Sequence, residues 1–370
     1  MDFNYSDLQR MLVDSAERFI AEHFTLEHRR SLRATATGLD DAAWATFAEL
    51  GWLALAVPEE SGGLGGTIAD VAVLAAALGT KCVNQPFVST AVLAPGLLAG
   101  AATPRADLLE QMVAGTARIA LAHREPGERG AMTAPRSVTL AAGTGGGLVL
   151  SGQKFLALDA PSATHLIVSA QAADGRLALV LVDAGTPGIT ADAYPLLDGS
   201  RASDLRFDAL AVAEDAVLAM GAEADALLAD ALERAMLARL AQAVGSMEEI
   251  LRICSAYLKE RQQFGQPIGK FQALQHIMAD MFVATHQSRS ALYQALANVD
   301  QGGAAGAKAV SLAAITIAEA GQLVSRQGVQ LHGGYGMTDE YDISHHYRFL
   351  LTLEKLGGDL DFHAARIVTA

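Results

Sequence analysis

The stretch ADALLADALERAMLARLAQAVGSMEEILRICSAYLKERQQF, residues 224–264, decides the architecture of this chain. Apolar residues recur in it at three- and four-residue steps, which is the spacing of one face of an α-helix. These residues are Leu228, Leu232, Met236, Leu240, Val244, Met247, Leu251, Cys254 and Leu258. At about 1.5 Å per residue the helix is roughly 60 Å long, more than one small domain covers. The stretch therefore predicts a helical bundle whose apolar surface meets another subunit.

The rest of the chain divides into two further zones. Residues 118–216 contain short, often alternating apolar runs separated by Gly, Pro and Asp, which predict about seven strands. Before them the period is helical: residues 7–24 place Leu8, Met11, Leu12, Ala16, Phe19 and Ile20 on one predicted face. Because the strands do not alternate with helices, a doubly wound parallel sheet is excluded. The predicted class is α+β, with an N-terminal helical domain (1–117), a central β domain (118–216) and a C-terminal helical bundle (217–370).

Composition excludes several classes of function. The 370 residues are 51% hydrophobic and 18% charged, so disorder is excluded as the main state. Lys and Arg number 27 against 41 Asp and Glu, a net charge of −14, which argues against nucleic acid or anionic lipid as a principal partner. Charges run through residues 1–20, and prolines interrupt the uncharged stretch 84–103, so neither a signal peptide nor a membrane span is predicted. We therefore expect a cytoplasmic protein, with Cys82 and Cys254 as buried thiols.

A glycine-rich loop, PEESGGLGGT, occupies residues 58–67. Such a loop before a helix cradles phosphate in some folds, because its backbone N–H groups point at the anion. Here no strand–loop–helix context surrounds the loop and no Lys-Ser/Thr pair follows it. The pattern therefore favours a structural turn.

The segment RQQFGQPIGKFQALQ, residues 261–275, combines three useful side chains. Arg261 carries a permanent charge for a phosphate, Phe264 offers a face for stacking, and Gln272 offers an amide for the edge of a heterocycle. The combination suits a nucleotide cofactor. From the residues alone, a loop that simply connects two helices remains the favoured alternative.

A second glycine-rich segment, QLHGGYGMTDEY, occupies residues 330–341. Glycines at 333, 334 and 336 let the backbone approach a flat ligand closely. His345 and His346 follow, but they are adjacent rather than four residues apart, so no metal site is predicted. We expect a solvated or interface pair of histidines.

The motifs PEESGGLGG, RQQFGQPIGKFQALQHIMADM and QLHGGYGMTDEY, in this order and at these separations, resemble the acyl-CoA dehydrogenase family. The likeness covers essentially the whole chain. It implies an N-terminal helical domain, a central β domain, and a C-terminal four-helix bundle that drives dimers and tetramers. It also implies FAD in composite sites between subunits. The family removes the α and β hydrogens of an acyl-CoA and passes the electrons to an electron-transfer flavoprotein.

The resemblance also implies which residues bind the cofactor. Arg261 and Phe264 match positions that reach the FAD of the neighbouring subunit, and Gln272 matches a glutamine that contacts the cofactor. The loop after Gln330 matches one that passes beside the nucleotide. The predicted cofactor-binding residues are Arg261, Phe264, Gln272, Gln330, Gly333 and Gly334.

Two departures from the family pattern concern the flavin itself. The family motif Thr-Glu-Pro-Gly-Ala-Gly-Ser-Asp is here Arg-Glu-Pro-Gly-Glu-Arg-Gly, residues 124–130. In the next strand, Leu156 and Leu158 stand where the family usually has tryptophan and threonine. We therefore expect fewer hydrogen bonds from the β domain to the flavin.

A third departure concerns the catalytic base. Removal of an α-proton from a thioester requires a positioned carboxylate. The two positions at which the family places its glutamate are here Gly357 and Ala235, and Met236 replaces the arginine that usually follows the second. No catalytic residue is therefore predicted in this chain, and no metal.

The sequence most resembles the shorter, base-lacking chain of a heteromeric acyl-CoA dehydrogenase. The predicted partners are an acyl-CoA substrate, a homologous chain that supplies the glutamate, and an electron-transfer flavoprotein. Two alternatives stay open. In one, a homo-oligomeric enzyme uses a displaced carboxylate, either Glu233 or one of Glu354, Asp359 and Asp361. In the other, the chain is a flavin-binding scaffold without turnover.

Overall fold

The computed structural model describes residues 5–127, 137–143 and 147–369. The chain forms two compact units, neither of which is continuous in sequence. The bundle unit comprises Met1–Arg30, Ile68–Val83 and Met236–Ala370. The sheet unit comprises Ser31–Thr67 and Asn84–Ala235. The domain boundaries near residues 117 and 216 stay a prediction.

Helices build the bundle unit and also form part of the sheet unit. In chain order the described helices are α1 (Asp7–His23), α2 (Leu26–Leu32), α3 (Asp41–Glu49), α4 (Ile68–Gly79), α5 (Ala94–Ala99), α6 (Ala106–Val113), α7 (Ala222–Glu260), α8 (Gln272–Asn298), α9 (Gly303–His332), α10 (Asp342–Lys355) and α11 (Leu360–Thr369). The predicted long helix is α7, and its residues from Met236 onward belong to the bundle unit. Helix α9 packs against α8, α10 and α11.

One helical segment, Gly303–Met337, is long and apolar enough to cross a membrane, and 44% of its most apolar window is buried within the fold. Its small and apolar residues, including Val310, Ala314 and Ile317, lie inside the bundle unit. The same composition is therefore explained by packing between helices.

Helix α1 begins with a capping box. Ser6 Oγ accepts a hydrogen bond from the Gln9 N–H (3.1 Å), and Gln9 Oε1 accepts one from the Ser6 N–H (3.1 Å). Of the predicted apolar face, Leu12, Ala16, Phe19 and Ile20 are buried. Leu8 and Met11, near the start of the same face, are 38% and 69% exposed. The buried part of the face therefore begins at Leu12.

Glycines let α4 and α7 touch through their backbones. A Cβ atom on Gly79 would lie 2.1 Å from the carbonyl oxygen of Gln242, and one on Gly245 would lie 1.9 Å from that of Ala76. Both distances are far below van der Waals contact, so only glycine fits at either position. These two contacts fix the crossing of the helices inside the bundle unit.

The sheet unit is organised around an eight-stranded sheet with the order β6-β7-β3-β2-β4-β5-β8, in which β1 also pairs with β4. Its strands are β1 (Ile119–Ala122), β2 (Thr139–Ala142), β3 (Leu148–Leu158), β4 (His165–Ala172), β5 (Leu177–Asp183), β6 (Ile189–Pro195), β7 (Arg201–Val212) and β8 (Val217–Met220). Pairing is antiparallel except that β1 and β2 run parallel to β4. The predicted order of helices, strands and helices along the chain is therefore observed.

The glycine-rich loop of residues 58–67 folds back on the segment before it. A Cβ on Gly63 would lie 2.0 Å from the Val57 carbonyl oxygen, and Gly62 and Gly65 have φ values of 81° and 58°. Gly65 and Gly66 donate backbone hydrogen bonds to Val57 and Leu55. These backbone N–H groups are thus already hydrogen-bonded to carbonyl groups of the chain itself, which supports the interpretation of the loop as a structural turn.

His345 and His346 are buried, so the expectation of a solvated or interface pair is wrong. Ser246 Oγ lies 2.8 Å and Cys82 Sγ 3.3 Å from His346 Nδ1. Burial lowers the pKa of His346 to about 3, so this imidazole is neutral in the fold. Cys82 and Cys254 are both buried thiols, as predicted. The histidines therefore belong to the core of the bundle unit, where α10 packs.

Candidate functional site

A short hairpin follows α7 and presents an aromatic ring outward. Its strands, β9 (Gln262–Gln263) and β10 (Gln266–Pro267), pair antiparallel. The two residues between them, Phe264 and Gly265, have φ values of 51° and 75°, as a two-residue turn with both residues left-handed requires. Phe264 is 90% exposed despite its large apolar ring. A ring held outward in this strained conformation is available to a ligand or a partner.

Arg261 is fixed through its backbone and free at its side chain. Its N–H donates to the Tyr257 carbonyl (2.9 Å), and its own carbonyl accepts from the Ile268 N–H (2.9 Å). The side chain is exposed. Among the described residues its guanidinium forms no ion pair, which leaves its donors available for a phosphate.

Gln272 is the first residue of α8 and is exposed. The residue before it, Phe271, contacts Phe264 edge to face with ring centroids 6.0 Å apart. Gln275 Nε2 donates to the Gly269 carbonyl (2.9 Å) and closes the turn that leads into the helix. The hairpin and the start of α8 are therefore joined, and they bring Arg261, Phe264 and Gln272 into one segment.

The second predicted segment lies where α9 ends. Gly333 has a φ of 60°, and no heavy atom lies within 4 Å of a Cβ built on Gly333 or Gly334. Gln330, Gly333 and Gly334 are all exposed. The backbone here is open to close approach by a flat ligand, as the sequence predicts.

A contact between two rings connects these two segments. Tyr257, one turn before Arg261, packs at a tilt of 31° against His332, the residue before Gly333, with centroids 4.2 Å apart. His332 Nδ1 lies 2.8 Å from the Gly328 carbonyl, and its Nε2 lies 3.2 Å from the Tyr341 hydroxyl. Burial lowers the pKa of His332, so the ring donates to the carbonyl and accepts from the tyrosine. The predicted cofactor-binding residues thus lie on two neighbouring segments of the bundle unit.

This set of donors fits a dinucleotide. An arginine without an ion pair suits a phosphate, exposed amides suit ring edges, and an exposed phenylalanine suits stacking. The open glycines add the room that a flat group needs. All six residues are exposed, so the two segments alone do not enclose a ligand.

Gly357, which the resemblance assigns to the family's usual base position, lies beside the flexible side chain of Met236. Gly357 has a φ of 95°, and a Cβ built on it would lie 2.8 Å from Met236 Sδ. Gly358 has a φ of 129°, and its Cβ would lie 2.2 Å from the Phe362 ring. Any side chain at 357 therefore requires both a strained backbone and displacement of Met236.

Of the remaining candidate carboxylates of the bundle unit, two have structural contacts and the third is exposed. Glu354 accepts hydrogen bonds from Gln322 Nε2 (2.9 Å) and Lys355 Nζ (2.5 Å). Asp359 Oδ1 accepts from the Phe362 N–H (2.8 Å) at the start of α11. Asp361 is exposed. None of these three is arranged as a free base.

The cavity beside Met236 is small. It has a volume of about 20 Å³ and is lined by Met236, Arg239, Gly358, Asp359 and His363, among others. That volume is enough for about one water molecule. Burial lowers the pKa of His363 to about 4, so its ring is neutral there. The cavity does not admit a thioester.

On the long helix, Ala235 and Glu233 belong to the sheet unit. Ala235 is fully buried. Glu233 is only partly buried and lies two residues earlier, about 200° around the helix. Glu233 therefore lies on a different face of α7 from the family's base position.

Sequence reasoning missed a buried ion pair at the flavin motif. Lys154 is fully buried, and its Nζ donates to Glu125 Oε1 (2.7 Å), the His123 carbonyl (3.0 Å) and Ser169 Oγ (3.1 Å). Glu125 is the glutamate of the motif Arg124–Gly127. Residues 128–130 of the motif lie outside the described residues.

The same strand holds the two leucines that replace the family's tryptophan and threonine. Leu156 has a φ of 51°, and its N–H donates to Asp204 Oδ1 (3.1 Å). The Tyr194 hydroxyl donates to the same oxygen (2.6 Å), and burial raises the pKa of Tyr194. Asp204 thus anchors β3 through the backbone N–H of Leu156, without a polar side chain at position 156. The sequence did indicate that Lys154 could be buried, since it lies four residues after the apolar Leu150 and so on the same face of β3.

Comparison with known proteins assigns the family. Residues 6–116 match the model of the acyl-CoA dehydrogenase N-terminal domain, and residues 226–370 match that of the acyl-CoA dehydrogenase C-terminal domain. Acyl-CoA dehydrogenase FadE27 of Mycobacterium tuberculosis is 29% identical over 355 residues, covering 94% of this chain and 92% of the relative. Acyl-CoA dehydrogenase IpdE2 of Mycolicibacterium smegmatis is 29% identical over 346 residues, covering 93% and 92%.

Solved structures agree with this assignment. A Tcur3481-Tcur3483 steroid ACAD variant is 30% identical with a TM-score of 0.87, covering 98% of this chain and 96% of that one. The ChsE4-ChsE5 complex from Mycobacterium tuberculosis is 27% identical with a TM-score of 0.89, covering 100% and 98%. The predicted family, fold class and enzyme class are confirmed. The chain belongs to the acyl-CoA dehydrogenase family of oxidoreductases.

Proposed function

We propose that this chain is the FAD-binding, base-lacking subunit of a heteromeric acyl-CoA dehydrogenase. Its reaction is the α,β-dehydrogenation of an acyl-CoA, and a homologous chain supplies the catalytic glutamate. The observation that carries the proposal is the contact at Gly357, where a Cβ would lie 2.8 Å from Met236 Sδ. The position that matches the family's usual base thus carries no carboxylate, and the Met236 side chain lies next to it.

The chemistry explains why this vacancy matters. A proton leaves the α-carbon of the thioester while a hydride leaves the β-carbon, so one carboxylate must face the α-carbon. FAD is the cofactor of the family, and when bound it supplies the oxidant that takes up the hydride. In this chain Gly357 and Ala235 accept no proton, and Met236 is apolar. Proton removal therefore falls to a residue of the partner.

What remains for this chain is to bind and orient the cofactor. Arg261 supplies a charge-assisted contact to a phosphate, and Gln272 and Gln330 supply amide hydrogen bonds. Phe264 excludes water by stacking, while Gly333 and Gly334 leave room for the backbone to approach. Because these residues all face outward, they complete a site only together with a second chain, which supports an oligomer.

The comparisons support the partner and the substrate class. One similar structure is a steroid ACAD formed by two named chains, and another is a complex of ChsE4 with ChsE5. By analogy we propose a bulky, ring-containing acyl-CoA as the substrate and a homologous subunit as the partner. An electron-transfer flavoprotein as the electron acceptor and a cytoplasmic location complete the proposal.

The test is anaerobic bleaching of the flavin by a panel of acyl-CoAs, first with the purified chain and then with the co-expressed pair. General-base catalysis is worth about 10²–10⁴-fold, so the chain alone should bleach slower by about that factor. The pair should bleach rapidly with at least one bulky acyl-CoA.

Glu233→Gln distinguishes the displaced-base alternative. This substitution should leave bleaching by the pair unchanged. Rapid bleaching by the lone chain that Glu233→Gln abolishes would make Glu233 the base and overturn the partner proposal. If neither the chain nor the pair bleaches while both retain flavin, the chain is a scaffold without turnover.

A further inference from the structure

A second, larger cavity lies wholly inside the bundle unit, away from the predicted cofactor segments. It has a volume of about 250 Å³, opens to solvent on one side, and is lined by Tyr5 and by residues of α1, α4, α7 and α8. Its deepest lining residues are Ala72, Val244 and Leu292, which are all buried. It shares no lining residue with the hairpin after α7 or with the end of α9. The proposed function does not use this cavity.

The cavity follows from the packing of α4 on α7. Their backbones touch at Gly79 and Gly245, which brings the two helices as close as helices can lie. Further along α4, the residues that face the cavity are Ala69, Ala72, Val73 and Ala76, at helical spacing. These short side chains do not fill the space between α4 and α8, so a void remains.

One side of the cavity is polar but carries no net charge. Arg289 Nε donates to Glu248 Oε1 (2.9 Å), and the two side chains are 41% and 33% exposed. The Tyr5 ring also lines this side, close to Tyr293. Burial, with Glu248 and Tyr293 nearby, raises the pKa of Tyr5, so its hydroxyl stays neutral and able to donate or accept. The polar side therefore offers hydrogen bonds and a neutralised ion pair.

We propose that this cavity binds a neutral amphiphile of about ten non-hydrogen atoms, with an apolar body and one hydroxyl or carbonyl group. The size follows from comparison with an engineered apolar cavity of about 150 Å³, which holds benzene. Scaled in proportion, about 250 Å³ holds about ten such atoms. The apolar body lies against the alanines of α4 and against Leu292, and the polar group faces Tyr5 and the ion pair.

Charge decides against an ionic ligand. An anion near Arg289 also meets Glu248, and a cation near Glu248 also meets Arg289. Either ion must give up water without gaining an unpaired counter-charge, which is unfavourable in a largely apolar site. A neutral hydroxyl has no such cost, since it donates to the carboxylate or accepts from the guanidinium.

The experiment uses the full-length chain and two probes with the same apolar body, 1-naphthol and 1-naphthoate. Calorimetry should show saturable one-to-one binding of 1-naphthol, with 1-naphthoate at least tenfold weaker. Ala72→Leu should weaken binding of 1-naphthol at least tenfold, because the new side chain occupies the cavity. Ala21→Leu, on the exposed side of α1, is the matched control and should change nothing.

A second variant tests the role of the ion pair without filling the core. Glu248→Gln leaves Arg289 with an uncompensated charge, so the affinity for 1-naphthoate should rise about tenfold while that for 1-naphthol changes little. Absence of 1-naphthol binding to the wild-type chain overturns the proposal. Equal binding by the wild type and by a folded Ala72→Leu variant overturns it as well. If Ala72→Leu does not fold, an unchanged preference between the probes in Glu248→Gln overturns it.

Discussion

The buried pair Lys154–Glu125 gives the sharpest prediction of stability in the sheet unit. The lysine side chain is 0% exposed and the glutamate 4%, and their closest atoms are 2.7 Å apart. Lys154→Met keeps the length and apolar body of the side chain but removes the ammonium group. The carboxylate of Glu125 then still accepts from two backbone donors, Ser137 N (2.8 Å) and Val138 N (3.1 Å).

Breaking a buried pair by removing one partner costs about 3–5 kcal/mol, because the other charge stays buried. The two backbone donors compensate in part, so we expect a loss of about 3 kcal/mol in the free energy of unfolding. The double variant Lys154→Met with Glu125→Gln should recover about half of this loss, since no buried charge remains. Urea denaturation followed by circular dichroism measures both values.

The matched control is a pair on the surface of the same sheet. Arg206 Nε lies 3.2 Å from Asp208 Oδ2, and both side chains are 56% exposed. Arg206→Met should cost less than about 1 kcal/mol, because water screens the exposed pair. If Lys154→Met costs no more than Arg206→Met, the buried pair does not stabilise the strand as argued.

Three further predictions concern other parts of the chain. Arg261→Ala should weaken flavin binding by about 1.5–3 kcal/mol, measured by fluorescence titration, while the exposed Arg18→Ala leaves it unchanged. Gly79→Ala should destabilise the chain by about 1–3 kcal/mol, because the new Cβ would lie 2.1 Å from a backbone oxygen of α7. The control Gly96→Ala, whose Cβ would meet nothing within 4 Å, should not destabilise it. Denaturation midpoints measure both effects. Burial lowers the pKa of His363 to about 4, whereas in the unfolded chain its pKa is about 6.5. Between these values the unfolded chain binds a proton that the folded chain does not bind. The free energy of unfolding should therefore fall as the pH falls from about 6.5 to 4. His363→Gln should reduce that slope, to which the buried His346 also contributes, and an unchanged slope would contradict the assignment.

Long periodic segments were predictable from sequence, and their ends and neighbours were not. The pattern over 224–264 predicted α7, which runs from Ala222 to Glu260, because a long apolar stripe is compatible only with a helix. The apolar pattern of residues 7–24 did not indicate that Leu8 and Met11 would be exposed, because burial depends on which elements pack against α1. The apolar pattern also did not indicate the cavity of about 250 Å³, because that cavity depends on the positions of four helices together.

The sequence proposes the candidate site residue by residue, and the fold adds how those residues are placed. Arg261 and Phe264 stood out by residue type, yet the left-handed conformation that turns Phe264 outward depends on the hairpin. The partner of Lys154 was hidden because Glu125 is 29 residues away and no pattern in one sequence joins them. The contact of Met236 with Gly357 likewise joins distant segments. The sequence predicts that the carboxylates are missing, and only the fold shows which side chains lie beside those positions.

The central claim is that this chain has no base for the α-proton, and exchange of that proton with solvent tests it most directly. The purified chain, loaded with FAD, is incubated in D₂O with a saturated acyl-CoA under anaerobic conditions, and deuterium at the α-carbon is followed by mass spectrometry. The account predicts exchange no faster than in buffer for the chain alone, and fast exchange once the partner chain is present. Fast exchange by the chain alone would contradict the account, and its loss in Glu233→Gln would identify the base.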